Sequence, residues 1–400
     1  MAATSGPVLR RRVFYIAGFD PASPRKYHGI FTVESAKQAA LTGARIEVGP
    51  LEERDELAWG WTVRAERAGQ IVEIDYQCLR WNDVVRRLWP REGPAFFLGV
   101  WRAFFAYWRR GILALPARLV AITALAPVVV MTAFVLLYAA AIGGLCVLGA
   151  DLARRVGWPW QAGAFVPLLL WLAVVPVWLR ADKLIPVGWL GRGMICVAGA
   201  ERALHVEIEE RLEAFARRLV EAAGEPEWDE ILLVGHSMGC QLAVRTLGQA
   251  LRIDPGFGKT GAPVSLLTLG QLIPLYSLMT DDPTYRAEFK AAVAADWIDW
   301  IDVTGPSDPG SVCDVHPLTG LGFEPPARRP VRRNPRFHAV LTAQTYRKLR
   351  RAPLAFHFQY LMATEAAGGY DYFEMTTGPR RLSESAGTGH DIRTDRGARR

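Results

Sequence analysis

Cysteine is scarce and scattered in this chain. The five cysteines (Cys78, Cys146, Cys196, Cys240 and Cys313) are odd in number, far apart and without the paired spacing of a metal site. That pattern excludes a disulfide framework and a zinc cluster, and it suits a reducing compartment. No metal or organic cofactor is implied anywhere else in the chain. An RNA- or DNA-binding signature is also missing. The net charge of +7 comes largely from arginine in the middle of the chain and in its tail, so it points to an anionic lipid surface and not to nucleic acid. At the N-terminus, Arg10, Arg11 and Arg12 precede only the short stretch VFYIAGF, which runs into Asp20 and Pro21 without a small-residue cleavage site. No secretory signal peptide is expected.

Charge itself is absent over two long stretches. Between Arg118 and Asp151 lie 32 uncharged residues, and a second uncharged run extends from Gly157 to Leu179. Crossing hydrocarbon takes about 20 residues, so the two runs predict a transmembrane hairpin with spans at about 127–149 and 158–179. Trp158, Trp160 and Trp178 would serve as interfacial anchors, and the preceding PAFFLGVWRAFFAYWRR has the make-up of a helix lying among lipid headgroups. Arginine and lysine on the outer flanks outnumber Arg154 and Arg155 in the short connecting loop, which predicts both flanks on the cytoplasmic side. The chain then divides into the N-terminal part of a globular domain (1–92), the membrane insert (93–189), the C-terminal part of the same domain (190–376) and a disordered basic tail (377–400).

Within the globular parts, apolar runs alternate with helical periodicity. Val13–Ala17, Ile231–Val234, Val264–Leu269 and Trp297–Val303 read as buried strands, whereas Ala44–Val48, Ala58–Ala65 and Ile71–Cys78 alternate as edge strands with one wet face. Helices are expected over Ser35–Leu41, Glu201–Ala223, Met238–Arg252 and Pro283–Ala295, with His205 structural and Arg328–Arg333 in a basic loop. The fold class is α/β, a mostly parallel sheet with helices on both faces, interrupted by the two-helix transmembrane hairpin.

One stretch carries chemistry. ILLVGHSMGC, Ile231 to Cys240, puts a serine between a strand and a helix, flanked by Gly235 and Gly239. This GHSMG resembles the nucleophile elbow of the α/β-hydrolase superfamily, the lipase and esterase type of serine hydrolase. The resemblance implies that Ser237 is a nucleophile and that the amide of Met238, at the helix N-terminus, faces the developing oxyanion. A second donor would come from the loop after an early strand, here the amide of Phe19 or Asp20 beside Gly18; Ala17 and Gly18 stand where the family commonly has His-Gly. A serine hydroxyl needs an imidazole to take its proton, and the imidazole needs a carboxylate to fix its tautomer. In the family's order, acid then histidine, Asp308 in TGPSDPGS is the acid, with Asp302 and Asp314 as alternatives. His357 in LAFHFQYL is the base, because H-x-x-Y there is similar to the surroundings of the catalytic histidine in several lipases; His338 and His316 are the alternatives.

The function expected is that of a membrane-anchored serine hydrolase cleaving carboxylic esters or thioesters, of the kind derived from lipids, through Ser237, His357 and Asp308. Its partners would be membrane lipids and an acyl ester substrate. The alternatives are a non-catalytic membrane interaction or scaffold protein on the same fold, and an acyltransferase using the same triad.

Overall fold

The computed structural model describes residues 6–89, 94–115, 125–159, 161, 187–199, 205–313, 315–324, 329–385, 390 and 391. In chain order the elements are β1 (Arg10–Ile16), α1 (Pro24–Thr42), β2 (Arg45–Val48), β3 (Glu52–Asp55), β4 (Ala58–Arg67), β5 (Gln70–Leu79), α2 (Asn82–Leu88), α3 (Pro94–Arg109), α4 (Ala126–Arg155), α5 (Val187–Ala198), α6 (His205–Gly224), β6 (Glu230–His236), α7 (Gly239–Ile253), β7 (Val264–Leu269), α8 (Ile273–Met279), α9 (Pro283–Ala294), β8 (Asp299–Val303) and β9 (Val331–Asn334). Short helices between Phe337 and Ser385 and the two-residue β10 (His390–Asp391) follow.

The strands form one sheet in the order β10-β9-β8-β7-β6-β1-β5-β4-β2, with β3 also paired to β4. From β9 across to β5 every pairing is parallel, and the pairings of β4 and of β10 are antiparallel. The protein is therefore α/β with a mixed, mostly parallel central sheet. The parallel strands are apolar on both sides because both sides are covered. Val13, Tyr15, Leu232, Val234, Leu267, Leu269, Ile301 and Val303 share one core with Tyr27 and Phe31 of α1 and with Phe337, Phe356 and Phe373 of the C-terminal helices. The alternate side chains, Phe14, Ile16, Ile231, Leu233 and Leu266, are buried on the opposite side, where α7 packs on β6 and on its neighbours α6 and α9.

Three boundaries differ from expectation. Helix α1 begins at Pro24 and not near Ser35, and it stops at Gly43, which takes the left-handed conformation at φ 72°. Gly29 and the β-branched Ile30, Thr32 and Val33 weaken its helical signal, but Tyr27, Phe31, Ser35 and Ala39 still fall on one buried stripe. The basic segment expected as a loop at 328–333 supplies strand β9, whose Val331–Arg333 pairs in parallel with Ile301–Val303.

The third concerns the segment expected as a disordered tail, in which Leu382–Ser385 is a helix with Leu382 fully buried. A buried ion pair anchors it. Arg11 Nε donates to Glu230 at 2.8 Å, Arg11 Nη1 and Nη2 donate to the carbonyls of Gly378 and Arg380 at 2.9 and 2.7 Å, and Glu230 accepts from Ser265 Oγ and the Leu382 amide. Residues 392–400 lie outside the described residues.

By its internal contacts the chain divides into two units, Met1–Trp89 with Gly199–Arg400, and Pro90–Ala198. In the second, α3, α4 and α5 pack on one another. Gly191 lets α5 approach Phe96 and Val100 of α3, and the Arg192 guanidinium lies 5.1 Å from the Phe96 ring centroid.

The transmembrane hairpin, and with it the two-span membrane localisation with the globular halves facing the cytoplasm, is corrected here. Among the described residues no helix is long and apolar enough to cross a membrane. The first expected span falls on α4; the second, apart from Trp158, Pro159 and Gln161, lies outside the described residues. The expectation rested on the length of the two uncharged runs. Helix α4 carries the first uncharged run and continues past it through Asp151 to Arg154 and Arg155.

Candidate active site

Three loops meet at the carboxyl ends of parallel strands: the one after β1, the turn after β6 and the one after β8. In an open α/β sheet this is the edge where side chains from different strands converge on a ligand. At its centre is Ser237. Its φ of 58° is one of only three positive values at non-glycine residues among those described, a conformation that costs an L-residue about 1–3 kcal/mol and survives only where the surroundings impose it. The surroundings do impose it. The Ser237 amide donates to the Leu269 carbonyl at 2.8 Å and its carbonyl accepts from the Cys240 amide at 3.1 Å. Glycines let the backbones close in: a Cβ at Gly239 would strike the carbonyls of Ile16 and Ala17, and one at Gly18 would lie 2.9 Å from Ser237 Cβ.

Asp308 and His357 arrive from opposite ends of the C-terminal region. His357 Nδ1 and Asp308 Oδ2 are 2.8 Å apart, with both side chains essentially buried, at 1% and 0% exposure. Burial raises the Asp308 carboxyl, but the His357 charge and hydrogen bond, with the Gly310 amide and Ser311, outweigh it and hold the carboxyl below its ordinary range. The group is a carboxylate at neutral pH and accepts from Nδ1–H; in the neutral tautomer that this bond selects, Nε2 carries the lone pair that a general base needs. Tyr360, the tyrosine of H-x-x-Y, fixes the acid's loop: its hydroxyl accepts from the Gly305 amide at 2.9 Å.

The alternatives are placed elsewhere. Asp302 is buried, but it accepts from Thr268 and Thr304 at 2.7 and 3.0 Å. Burial pushes its carboxyl up to about 6, despite the Thr268 hydrogen bond, the Arg332 charge and the Thr304 hydrogen bond. His338 is exposed on a short helix, and His316 Nδ1 accepts from the Leu318 amide in its own loop. Asp314 and the His205 side chain lie outside the described residues.

The two expected oxyanion donors after β1 differ in their hydrogen bonding. The amide of Asp20 donates to the Gly18 carbonyl at 2.8 Å, closing a tight turn, so it is already engaged. Among the described residues the amides of Phe19 and Met238 have no backbone acceptor. Gly18 lies against Ser237, so Phe19 is one residue from that contact, and Met238 directly follows the serine.

His236 is a residue that the sequence reading passed over. Its ring centroid is 5.0 Å from that of His357, and its Nε2–H donates to the His357 carbonyl at 3.1 Å. A carbonyl can only accept, so the proton is on Nε2. Burial, then the neighbouring His357 charge, lowers the His236 imidazole to about 3, so it holds the His357 backbone as a neutral ring. Its position immediately before Ser237 was the one available signal.

Among the described residues no cluster of histidine, cysteine and acidic side chains is arranged to hold a metal ion. Comparison of the chain with protein-family models, with curated proteins and with solved structures finds no match in any of the three.

Proposed function

We propose that the protein is a serine hydrolase of the α/β-hydrolase type that cleaves carboxylic esters or thioesters. In this reading Ser237 Oγ attacks the acyl carbon, His357 takes the hydroxyl proton and returns it to the leaving group, and Asp308 steadies the imidazolium. The amides of Phe19 and Met238 receive the oxyanion, and water releases the acyl group in a second passage through the same steps. One observation carries the reading: a serine in a left-handed conformation at a strand-to-helix turn shares its sheet edge with a buried carboxylate–imidazole pair 2.8 Å apart. A strained backbone costs stability, and its coincidence with a buried carboxylate–imidazole pair is what acyl transfer requires.

A fluorophosphonate probe tests this directly. Labelling of the folded protein that disappears in Ser237→Ala is the expected result, and a panel of esters and thioesters of graded acyl length then defines the substrate. A folded protein that stays unlabelled and turns over none of these esters overturns the reading.

A further inference from the structure

The loop after β1 is held far more firmly than a connection needs to be, and the residue that holds it is Asp20. We propose that Asp20 is a positioning residue, which acts through the loop to fix the Phe19 amide at the oxyanion site; this rests on the serine-hydrolase reading. Both oxygens of its carboxylate are engaged. Oδ1 accepts from the Ala22 amide at 2.9 Å, and Oδ2 accepts from the Tyr27 hydroxyl at 2.9 Å and from Lys26 Nζ at 2.5 Å. Lys26 and Tyr27 belong to the first turn of α1, and Tyr27 is itself buried against Tyr15 of β1, so the loop is tied to the sheet through the helix.

On its other side the loop is tied to the segment around α2. Trp81 Nε1 donates to the Ala17 carbonyl at 2.8 Å, and the Phe19 ring stacks on Trp89 with centroids 5.2 Å apart. Residues 17 to 20 are thus fixed by a carbonyl, a ring, a tight turn and a carboxylate, and the Phe19 amide has no backbone acceptor among the described residues. Lys26 extends the same arrangement to the base. Its ammonium lies 4.3 Å over the ring of Phe358, the residue after His357, so one side chain touches both loops. Burial raises the Asp20 carboxyl, but the Lys26 charge and hydrogen bond, with the bonds from Ala22 and Tyr27, bring it below the ordinary range and keep it ionised.

An oxyanion donor acts only when aimed in advance, and a displacement of about 1 Å can cost on the order of 100-fold in rate. The test compares wild type, Asp20→Ala, Asp20→Asn and Lys26→Ala for ester turnover and for inhibition by a trifluoromethyl ketone, whose tetrahedral adduct places an oxyanion in the site. In Asp20→Ala we expect kcat to fall about 10- to 100-fold with KM nearly unchanged, and inhibitor affinity to weaken in proportion to kcat/KM. Lys26→Ala removes one donor of three and should show the same pattern at a smaller size. A purely structural role would instead lower activity only in step with the folded fraction.

Unchanged kcat and inhibitor affinity in folded Asp20→Ala overturn this proposal and leave the hydrolase reading standing, because wild type still reacts. If wild type itself neither turns over esters nor takes the probe, both fall. Should Asp20→Ala not fold, Asp20→Asn and Lys26→Ala decide: a loss confined to kcat supports positioning, and no loss in either refutes it.

Discussion

In the proposed triad, replacing Asp308 by asparagine separates the carboxylate's part in catalysis from its part in stability. The side chain keeps its size and an acceptor oxygen, but the charge that faces His357 Nδ1 at 2.8 Å is gone. Without that charge the imidazolium formed during attack is unsupported and the wrong tautomer competes; in a serine triad this lowers kcat about 10⁴-fold, or roughly 5 kcal/mol at 1.36 kcal/mol per tenfold. Stability should respond with a definite sign. The carboxyl has a folded pKa below its unfolded one, so its contribution is fully present above an unfolded value of about 3.9 and is lost as pH falls through the folded value. Asp308→Asn should therefore be less stable than wild type at pH 7, by an amount that shrinks at pH 3.5. The assays are burst and steady-state kinetics on a p-nitrophenyl ester, and urea denaturation at the two pH values. A kcat within tenfold of wild type, in a protein that Ser237→Ala inactivates, would refute the acid's role. A stability deficit that grows on acidification would refute the electrostatic argument.

Two further predictions concern stability alone. Arg11→Met leaves Glu230 buried without its cation and should cost about 3–5 kcal/mol in denaturant unfolding, whereas Arg11→Met with Glu230→Leu should recover much of that loss; a double variant as unstable as the sum of the singles would contradict the pairing. For Asp302 the sign is opposite to that for Asp308. A carboxyl raised to about 6 makes folding less favourable as pH rises from about 4 to 6, by something of the order of 2–3 kcal/mol. Asp302→Asn should thus compare better with wild type at pH 7 than at pH 4, and urea titrations at both values show whether it does.

Much of this arrangement was written locally and some of it was not. Runs of β-branched and aliphatic residues such as Ile231–Val234 and Val264–Leu269 determined buried strands, because an apolar run of that length has to be covered on both faces. Gly235 and Gly239 around Ser237 determined the turn, since each leaves out a Cβ that the crossing of strand and helix forbids. The order of Asp308 and His357 after the serine is likewise a property of the chain. Its limit shows at α4, whose uncharged run reads as a membrane span although among the described residues no helix is long and apolar enough to cross a membrane. It shows again at β9, whose Arg332 and Arg333 carry no strand signal and which becomes a strand because β8 offers it an open edge.

Only the tertiary structure decided which carboxylate meets which imidazole. Asp302 and Asp308 are six positions apart and both buried, but the first ends against two threonines and the second against His357, because successive side chains of a strand leave opposite faces while a loop is free to turn. It also decided that the Asp20 carboxylate meets Lys26, Tyr27 and the Ala22 amide, and that His236 donates to the His357 carbonyl. Those roles depend on contacts between segments that stand far apart in sequence, so the residues could be listed from the chain, but their partners had to wait for the fold.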